Sequence, residues 1–186
     1  MKDLIKKYRS VIKFILVFLI VYGVLTLAYK FYLDASTGIN YYPDFLTHLV
    51  GQQSESLLNS IGYDTQILPH PDEPSVKLIV RGKYVARVVE GCNSVSVIIL
   101  FIAFIIAFSG APKITFFYAL AGSVLIYIAN LIRIVILSIG LFHYPWRRNI
   151  LHTVIFPLLI YGMVFLLWMV WVKRFSHISK NHVKKH

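Results

Sequence analysis

Charged residues are scarce in this chain. Only 15% of its 186 residues are Asp, Glu, Lys or Arg, whereas a soluble domain carries about a quarter. The hydrophobic fraction is 58% and the mean hydropathy is +0.69. These values exclude an ordinary soluble domain and indicate an integral membrane protein with the lipid bilayer as its surroundings.

Acidic residues are scarcer still, with eight Asp and Glu against nineteen Lys and Arg, which gives a net charge of +11. Basic clusters that flank apolar spans are typical of the cytoplasmic ends of membrane proteins. No basic groove interleaved with aromatic residues lies between the two ends, so nucleic acid is excluded as a partner. Ten of the cations lie at the two ends: Lys2, Lys6, Lys7, Arg9, Lys13, Lys173, Arg174, Lys180, Lys184 and Lys185.

Cysteine occurs once, as Cys92. A single cysteine cannot form an internal disulfide, so any domain outside the membrane must hold together by packing. No cluster of histidine, cysteine and carboxylate residues has the spacing of metal ligands. We therefore expect neither a metal nor a cofactor.

Long apolar runs dominate the rest of the sequence and predict four transmembrane helices, at residues 11–33, 95–108, 114–142 and 150–172. The third run exceeds the thickness of the hydrocarbon core, so we expect it to tilt, to project or to bend near Gly122. The first run is too long for a removable signal peptide and lacks its cleavage pattern.

Between the first two spans lies one long, mixed and weakly acidic region. It predicts an amphipathic helix between Pro43 and Gly62 and a β-hairpin of residues 76–80 and 84–89 around Arg81-Gly82-Lys83. The fold class is thus an all-α integral membrane protein with four transmembrane helices and a small α+β extracytoplasmic insertion between helices one and two. The insertion is too small for a secure core of its own, so it should lean on the bilayer or the other helices.

Four segments follow from this pattern. We expect a cytoplasmic basic N-terminus and first transmembrane helix over 1–33, and an extracytoplasmic helix-plus-hairpin subdomain over 34–91. A three-helix membrane core should cover 92–172, and a basic cytoplasmic tail 173–186. The excess of Lys and Arg at both ends predicts that both termini are cytoplasmic.

In this topology, three residues with side chains suited to catalysis lie on the same side of the membrane. Cys92 lies at the outer start of the second span and His152 at the outer start of the fourth. Arg133 lies about 13 Å below the outer end of the third span. All three are therefore able to meet in the outer third of the bilayer.

Each of these residues has a chemical role open to it. Cys92 is a candidate nucleophile, since a helix N-terminus and a nearby cation both favour a thiolate. Arg133 would stabilise that thiolate and then a tetrahedral oxyanion, with Asn130 on the same helix face as a second donor. His152 would act as general base and acid, with His143 as its rival.

Each also has a plain structural alternative. A lone cysteine is usually a small core residue, although its neighbours Glu90 and Asn93 are not core-like. An intramembrane arginine can extend to the interface or pair with Glu90. An interfacial histidine commonly has no chemical role.

The residues Glu90-Gly91-Cys92, Asn130-Leu131-Ile132-Arg133 and Leu151-His152 together resemble the exosortase/archaeosortase family, over about residues 85–172. The small size and the residues around the cysteine are most similar to the exosortase F branch. The commoner family pattern has a small residue and glycine after the cysteine, where this chain has Asn93 and Ser94.

The resemblance implies a cysteine protease or transpeptidase in the cytoplasmic (inner) membrane, with its active site on the periplasmic side. Its substrates would be exported proteins with a C-terminal sorting signal, namely a short motif, a transmembrane helix and a basic tail. Cys92 would be the nucleophile, His152 the base, and Arg133 the stabiliser of the thiolate or oxyanion. Glu90, Asn93 and Asn130 would support them or bind substrate.

Two other classes of function compete with this one. A non-enzymatic assembly or scaffold subunit would use an Arg133–Glu90 pair for structure only. A small transporter or channel component would line a polar path with Arg133, but the chain lacks the pair of interrupted helices that marks many transporters. The sequence leaves the substrate, the acceptor and the oligomeric state open.

Overall fold

The computed structural model describes residues 8–36, 43–108, 110–150 and 154–175. These residues form five long helices and one three-stranded antiparallel sheet of order β1-β2-β3. The elements in chain order are α1 (Arg9–Ser36), α2 (Phe45–Ser60), β1 (Thr65–Pro69), β2 (Ser75–Val80), β3 (Lys83–Val89), α3 (Val95–Ala107), α4 (Pro112–His143) and α5 (Phe156–Arg174).

Three helices are long and apolar enough to cross a membrane: α1, α4 and the Pro157–Arg174 part of α5. The apolar helix α3 begins where the sequence predicts a second span, but it has only 13 residues. That length corresponds to about 20 Å, which is shorter than the hydrocarbon core of about 30 Å. The structure thus supports three of the four predicted spans by length and leaves α3 as a shorter apolar helix.

One apolar core joins α3, α4 and α5, and Gly122 determines how closely α3 and α4 approach. A Cβ atom at Gly122 would lie 2.3 Å from Cζ of Phe101, whose side chain is fully buried. The helix α4 runs through Gly122 without interruption. The missing side chain of Gly122 therefore leaves space for the ring of Phe101, and Gly122 does not break α4.

Helix α5 is fixed to its neighbours by two hydrogen bonds that cross between helices. Trp171 is fully buried and donates from Nε1 to the carbonyl of Phe108 at 3.1 Å. Tyr118 on α4 donates from its hydroxyl to the carbonyl of Leu167 at 2.7 Å. Helix α5 begins at Phe156, with Pro157 in its first turn. Residues 148–150 are helical as well and residues 151–153 lie outside the described residues, so the predicted start at residue 150 stays a prediction.

Helix α1 packs on α3 through aromatic rings and has no fully buried residue. The ring of Phe14 lies 4.4 Å from that of Phe108 and 5.7 Å from that of Phe104, measured between centroids. The C-terminal end of α1 carries Tyr29 and Tyr32, which reach the start of α3 and of α2 respectively. Helix α1 therefore braces the segment that contains Cys92.

The predicted amphipathic helix and hairpin are both present. Asp44 caps α2 by accepting the Thr47 N–H at 3.0 Å, and Gly62, at a φ of 87°, follows its end. The turn between β2 and β3 has positive φ at both Arg81 and Gly82, as in the two-residue turns that suit hairpins. The strand β1, which pairs with β2, was not predicted.

The sheet and α2 share their core with the C-terminal half of α4. Leu58 of α2, Leu78 and Val80 of β2, and Val135 of α4 form one buried cluster. The subdomain thus leans on a long helix, as its small size predicts.

Candidate active site

The strand β3 leads directly into a short turn that ends at Cys92. Glu90–Cys92 forms one turn of 3₁₀ helix, and α3 begins at Val95. Between them Ser94 has a φ of 66°, in the left-handed region that favours glycine. The Ser94 hydroxyl donates to the carbonyl of Asn93 at 2.6 Å. The chain therefore reverses direction sharply just after the cysteine.

Asn93 holds this turn in place. Its side chain is 1% exposed, and its Nδ2 donates to the Tyr29 hydroxyl at 2.7 Å and to Thr47 Oγ1 at 3.3 Å. Its Oδ1 accepts the Val95 N–H at 3.0 Å, so it satisfies the first turn of α3. Asn93 ties α1, α2 and α3 together next to Cys92, which makes it a supporting residue.

Asn130 connects the cysteine segment to α4. It is 1% exposed, and its Nδ2 donates to the carbonyl of Cys92 at 2.7 Å. Its Oδ1 accepts from Nη1 of Arg133 at 3.3 Å. One amide therefore fixes the backbone of Cys92 and orients the guanidinium, which the i, i+3 spacing allows on a helix face.

Arg133 and Cys92 line the same cavity, whose volume is about 430 Å³. The Nε of Arg133 is buried and has no hydrogen-bond partner among the described residues. A buried donor of this kind carries a cost until an acceptor reaches it. The guanidinium thus has spare capacity for an anionic or oxyanionic group beside the thiol.

The cavity lies between β3 and the C-terminal half of α4. Arg87, Arg133 and Arg148 line it, and no Asp or Glu is among its described lining residues. Arg148 is exposed and was not predicted as a site residue. Its signal in the sequence was the pair Arg147-Arg148, which places two cations between the third and fourth predicted spans.

Glu90 does not pair with Arg133. The described residues contain no salt bridge between them, and Glu73 is paired with Arg87. Glu90 is exposed, yet partial burial of its carboxyl group, together with the negative charge of Asp44, raises its pKa. The scaffold hypothesis therefore loses the specific ion pair on which it depended.

The histidine predictions have different outcomes. His152 lies outside the described residues, so its role stays a prediction. Its rival His143 ends α4, where its Nε2 lies 3.0 Å from the Tyr63 hydroxyl. His143 is not among the residues that line the cavity of Cys92. The imidazole of His143 thus contacts the hydroxyl of Tyr63 and not the thiol of Cys92.

Comparison of the chain with models of known protein families, with curated proteins and with solved structures finds no match. The described residues also contain no group of three His, Cys, Asp or Glu side chains able to hold a metal ion. The functional conclusion therefore depends on the geometry around Cys92.

Proposed function

We propose that the chain is a membrane cysteine peptidase or transpeptidase of the exosortase/archaeosortase kind. The observation that carries the proposal is the shared cavity of Cys92 and Arg133, joined by Asn130 through the 2.7 Å and 3.3 Å hydrogen bonds. A cysteine and a fixed guanidinium in one cavity supply a nucleophile and a donor for an oxyanion, which are two of the groups that acyl transfer through cysteine uses.

In the proposed reaction, His152 takes the proton of the Cys92 thiol, and Sγ attacks the carbonyl carbon of a substrate peptide bond. The guanidinium of Arg133 stabilises the oxyanion, and the C–N bond breaks as the leaving amine takes a proton, which we assign to His152. The resulting thioester is then resolved by water or by an acceptor amine. Asn130 positions both Cys92 and Arg133 and does not itself react.

The substrates would be exported proteins that end in a short motif, a transmembrane helix and a basic tail. A second, apolar cavity of about 710 Å³ lies between α3 and α4 and includes Ile98, Ile102, Ala119 and Ser123 among its lining residues. It runs along the helix that begins three residues after Cys92. A substrate helix in this groove would bring its preceding segment level with the thiol.

The proposed topology has both termini in the cytoplasm of a cell with an inner membrane, and the sheet on the periplasmic side. In it α3 makes the second crossing, and the bilayer adapts to its short length by local thinning. In a Cys92→Ala background, an impermeant maleimide should label Lys83→Cys from outside and should not label Lys113→Cys. The reverse labelling would contradict this topology.

Processing of a substrate panel tests the function. The panel consists of exported proteins from the source cell that carry the tripartite C-terminus, each tagged and co-expressed with the chain. We expect shortened products, by gel and by mass, with the wild type and uncleaved precursor with Cys92→Ala. Normal processing by Cys92→Ala would contradict the proposal and favour a scaffold.

Arg133→Leu separates chemistry from structure. Removing a costly intramembrane charge offsets the loss of the hydrogen bond to Oδ1 of Asn130, so the melting temperature should change little. Processing should fall by about 100-fold or more, as expected for loss of an oxyanion donor. The matched control is Arg147→Leu, which removes an exposed cation that is not among the cavity-lining residues and should keep most activity. Full processing by a stable Arg133→Leu protein would contradict the role of Arg133.

A further inference from the structure

The outer edge of β3 has no partner within the described part of the chain. The sheet order is β1-β2-β3, so β3 pairs with β2 on one side only. No backbone hydrogen bond joins residues 84–88 to any described element other than β2. Such an edge presents alternate N–H and C=O groups that can pair with another extended chain.

The cavity of Cys92 runs along this edge. Five consecutive residues, Val85 to Val89, line it, and Gly91 and Cys92 continue the lining. Successive side chains of a strand point to opposite faces. A cavity that touches every residue in turn therefore follows the edge of the strand, not one of its faces.

A β-bulge sets the length of the regular edge. Leu78 pairs with Ala86 while Ile79 pairs with Tyr84, which leaves Val85 without a partner on β2. Bulges disrupt the ladder and re-aim the strand. The regular edge consequently consists of Ala86 to Val89, about 13 Å of strand, and it ends three residues before Cys92.

The charge of the cavity indicates what the edge would bind. Arg133 and Arg148 line the cavity, and Arg87 is already paired with Glu73. Within the part of the chain that the structure describes, no carboxylate lines the cavity. The buried Nε of Arg133 also lacks an acceptor among the described residues. An acidic side chain on the bound segment would satisfy these donors through charge-assisted hydrogen bonds.

We propose that an extended peptide with an acidic side chain binds as a fourth strand along Ala86–Val89, between β3 and α4. Main-chain hydrogen bonds to the edge supply affinity, and the arginines supply the preference for a carboxylate. The segment that follows then reaches Cys92. Binding along the edge would deliver the scissile bond to the thiol. The interpretation of the bound peptide as a substrate therefore rests on the proposed peptidase function.

Disulfide capture at Cys92, the sole cysteine, tests binding without any need for catalysis. The probes are three pools of pentapeptides with four random positions and a central Glu, Gln or Lys. Each peptide ends in an aminoethyl disulfide, which the Cys92 thiolate attacks with release of 2-mercaptoethanol. At equilibrium in excess 2-mercaptoethanol, the Glu pool should be captured at least about tenfold more than the Lys pool.

Hydrogen exchange locates the captured peptide. Amides in residues 86–89 should exchange at least about tenfold more slowly in the conjugate, as newly hydrogen-bonded amides do. Two further peptides have the sequence that is captured most and carry N-methyl groups at the odd or at the even positions. Only one of the two should lose the protection of residues 86–89, because alternate amides of a strand face the same edge. A captured peptide that leaves exchange at 86–89 unchanged would overturn the proposal.

Neighbouring arginines provide the matched variants. Arg148→Gln should reduce the preference for Glu over Gln by about threefold or more, whereas Arg147→Gln, which is outside the cavity lining, should not. Equal capture of the Glu, Gln and Lys pools by the wild type would also overturn the proposal. Capture of the Glu pool by a chain that cleaves no precursor would contradict the peptidase function and leave the strand-addition mode standing.

Discussion

The two halves of α4 pack in opposite ways. Around Gly122 and Ile126 the helix is in contact with aromatic rings, and Phe101 leaves no space for even one methyl group. From Asn130 onward the helix faces a cavity of about 430 Å³ and buries Asn130 and Ser138. The tight half fixes the helix in space, so the open half can hold polar groups beside an unfilled cleft.

Hydrogen bonds in the open half hold the segment of Cys92, whereas the tight half packs an apolar core around Phe101 and holds α5 through the hydroxyl of Tyr118. Asn130 bonds to Cys92 and Arg133, and Ser138 donates to the Ile134 carbonyl at 2.8 Å. We therefore expect substitutions in the tight half to lower stability alone, and substitution of Asn130 to lower both stability and activity.

The largest expected effect is at the contact of Gly122 with Phe101. Gly122→Ala should lower the free energy of unfolding by about 3 kcal/mol, because the buried ring has no room to withdraw. Thermal unfolding in detergent measures this loss. Gly162→Ala is the matched control, since nothing lies within 4 Å of its Cβ position, and it should be neutral or slightly stabilising. Phe101→Leu should recover most of the loss, and no recovery would contradict the assigned contact.

Asn130→Ala should have the next largest effect and lower the free energy of unfolding by about 1–3 kcal/mol. The reason is that the carbonyl of Cys92 and the guanidinium of Arg133 each lose a hydrogen-bond partner. Processing per folded molecule should fall with it. Asn59→Ala is the control, since Asn59 also makes two hydrogen bonds, both to the backbone of Thr65. Because Asn59 is exposed, the substitution should lower the free energy of unfolding by less than Asn130→Ala does, and it should leave the activity of the folded fraction intact. Equal activity losses in both variants would contradict a positioning role for Asn130.

Ser94 tests the turn after the cysteine. Ser94→Val should destabilise the protein by about 1–2 kcal/mol, since a β-branched residue is unfavourable at a φ of 66°. Ser94→Gly should stay within about 0.5 kcal/mol, because relief of strain offsets the entropy of glycine. Melting temperatures of the two variants measure the difference. A Val variant as stable as the Gly variant would contradict the left-handed conformation.

The smallest effect is a pH dependence at Glu90. Its pKa is raised, first by burial and then by the charge of Asp44, so ionisation of Glu90 destabilises the folded state as pH rises through that raised value. Glu90→Gln should therefore be more stable than the wild type at pH 7, by less than about 0.5 kcal/mol, and equal to it near pH 4. Asp44→Asn, which keeps a capping residue, should shrink this difference. A Gln variant that is less stable at pH 7 would contradict the assigned cause.

Local patterns predicted much of the fold. The β-branched runs on either side of Arg81-Gly82 predicted the hairpin, and Pro43 and Gly62 predicted the limits of α2 to within two residues. The strand β1 was missed because its five residues precede a proline-rich segment and gain their order from pairing with β2. Pairing between distant residues leaves no periodic signal in a short strand.

The sequence predicted which residues form the candidate site better than it predicted the contacts between them. Depth in the membrane placed Cys92 and Arg133 on one side, and the structure places both in one cavity. The bond from Asn130 to the Cys92 carbonyl and the lining role of Arg148 depend on how β3 packs on α4, which no local pattern encodes. The alternative pair Arg133–Glu90 is not present among the described residues.

A covalent intermediate on Cys92 tests the central claim most directly. The chain is mixed with a processed precursor and quenched in acid, and its intact mass is measured before and after hydroxylamine, which cleaves thioesters. We predict an adduct equal in mass to the N-terminal fragment of the substrate less one water, lost with hydroxylamine and missing in Cys92→Ser. Cleavage of the precursor by the Cys92→Ser protein, or by a wild type that never carries such an adduct, would contradict the claim.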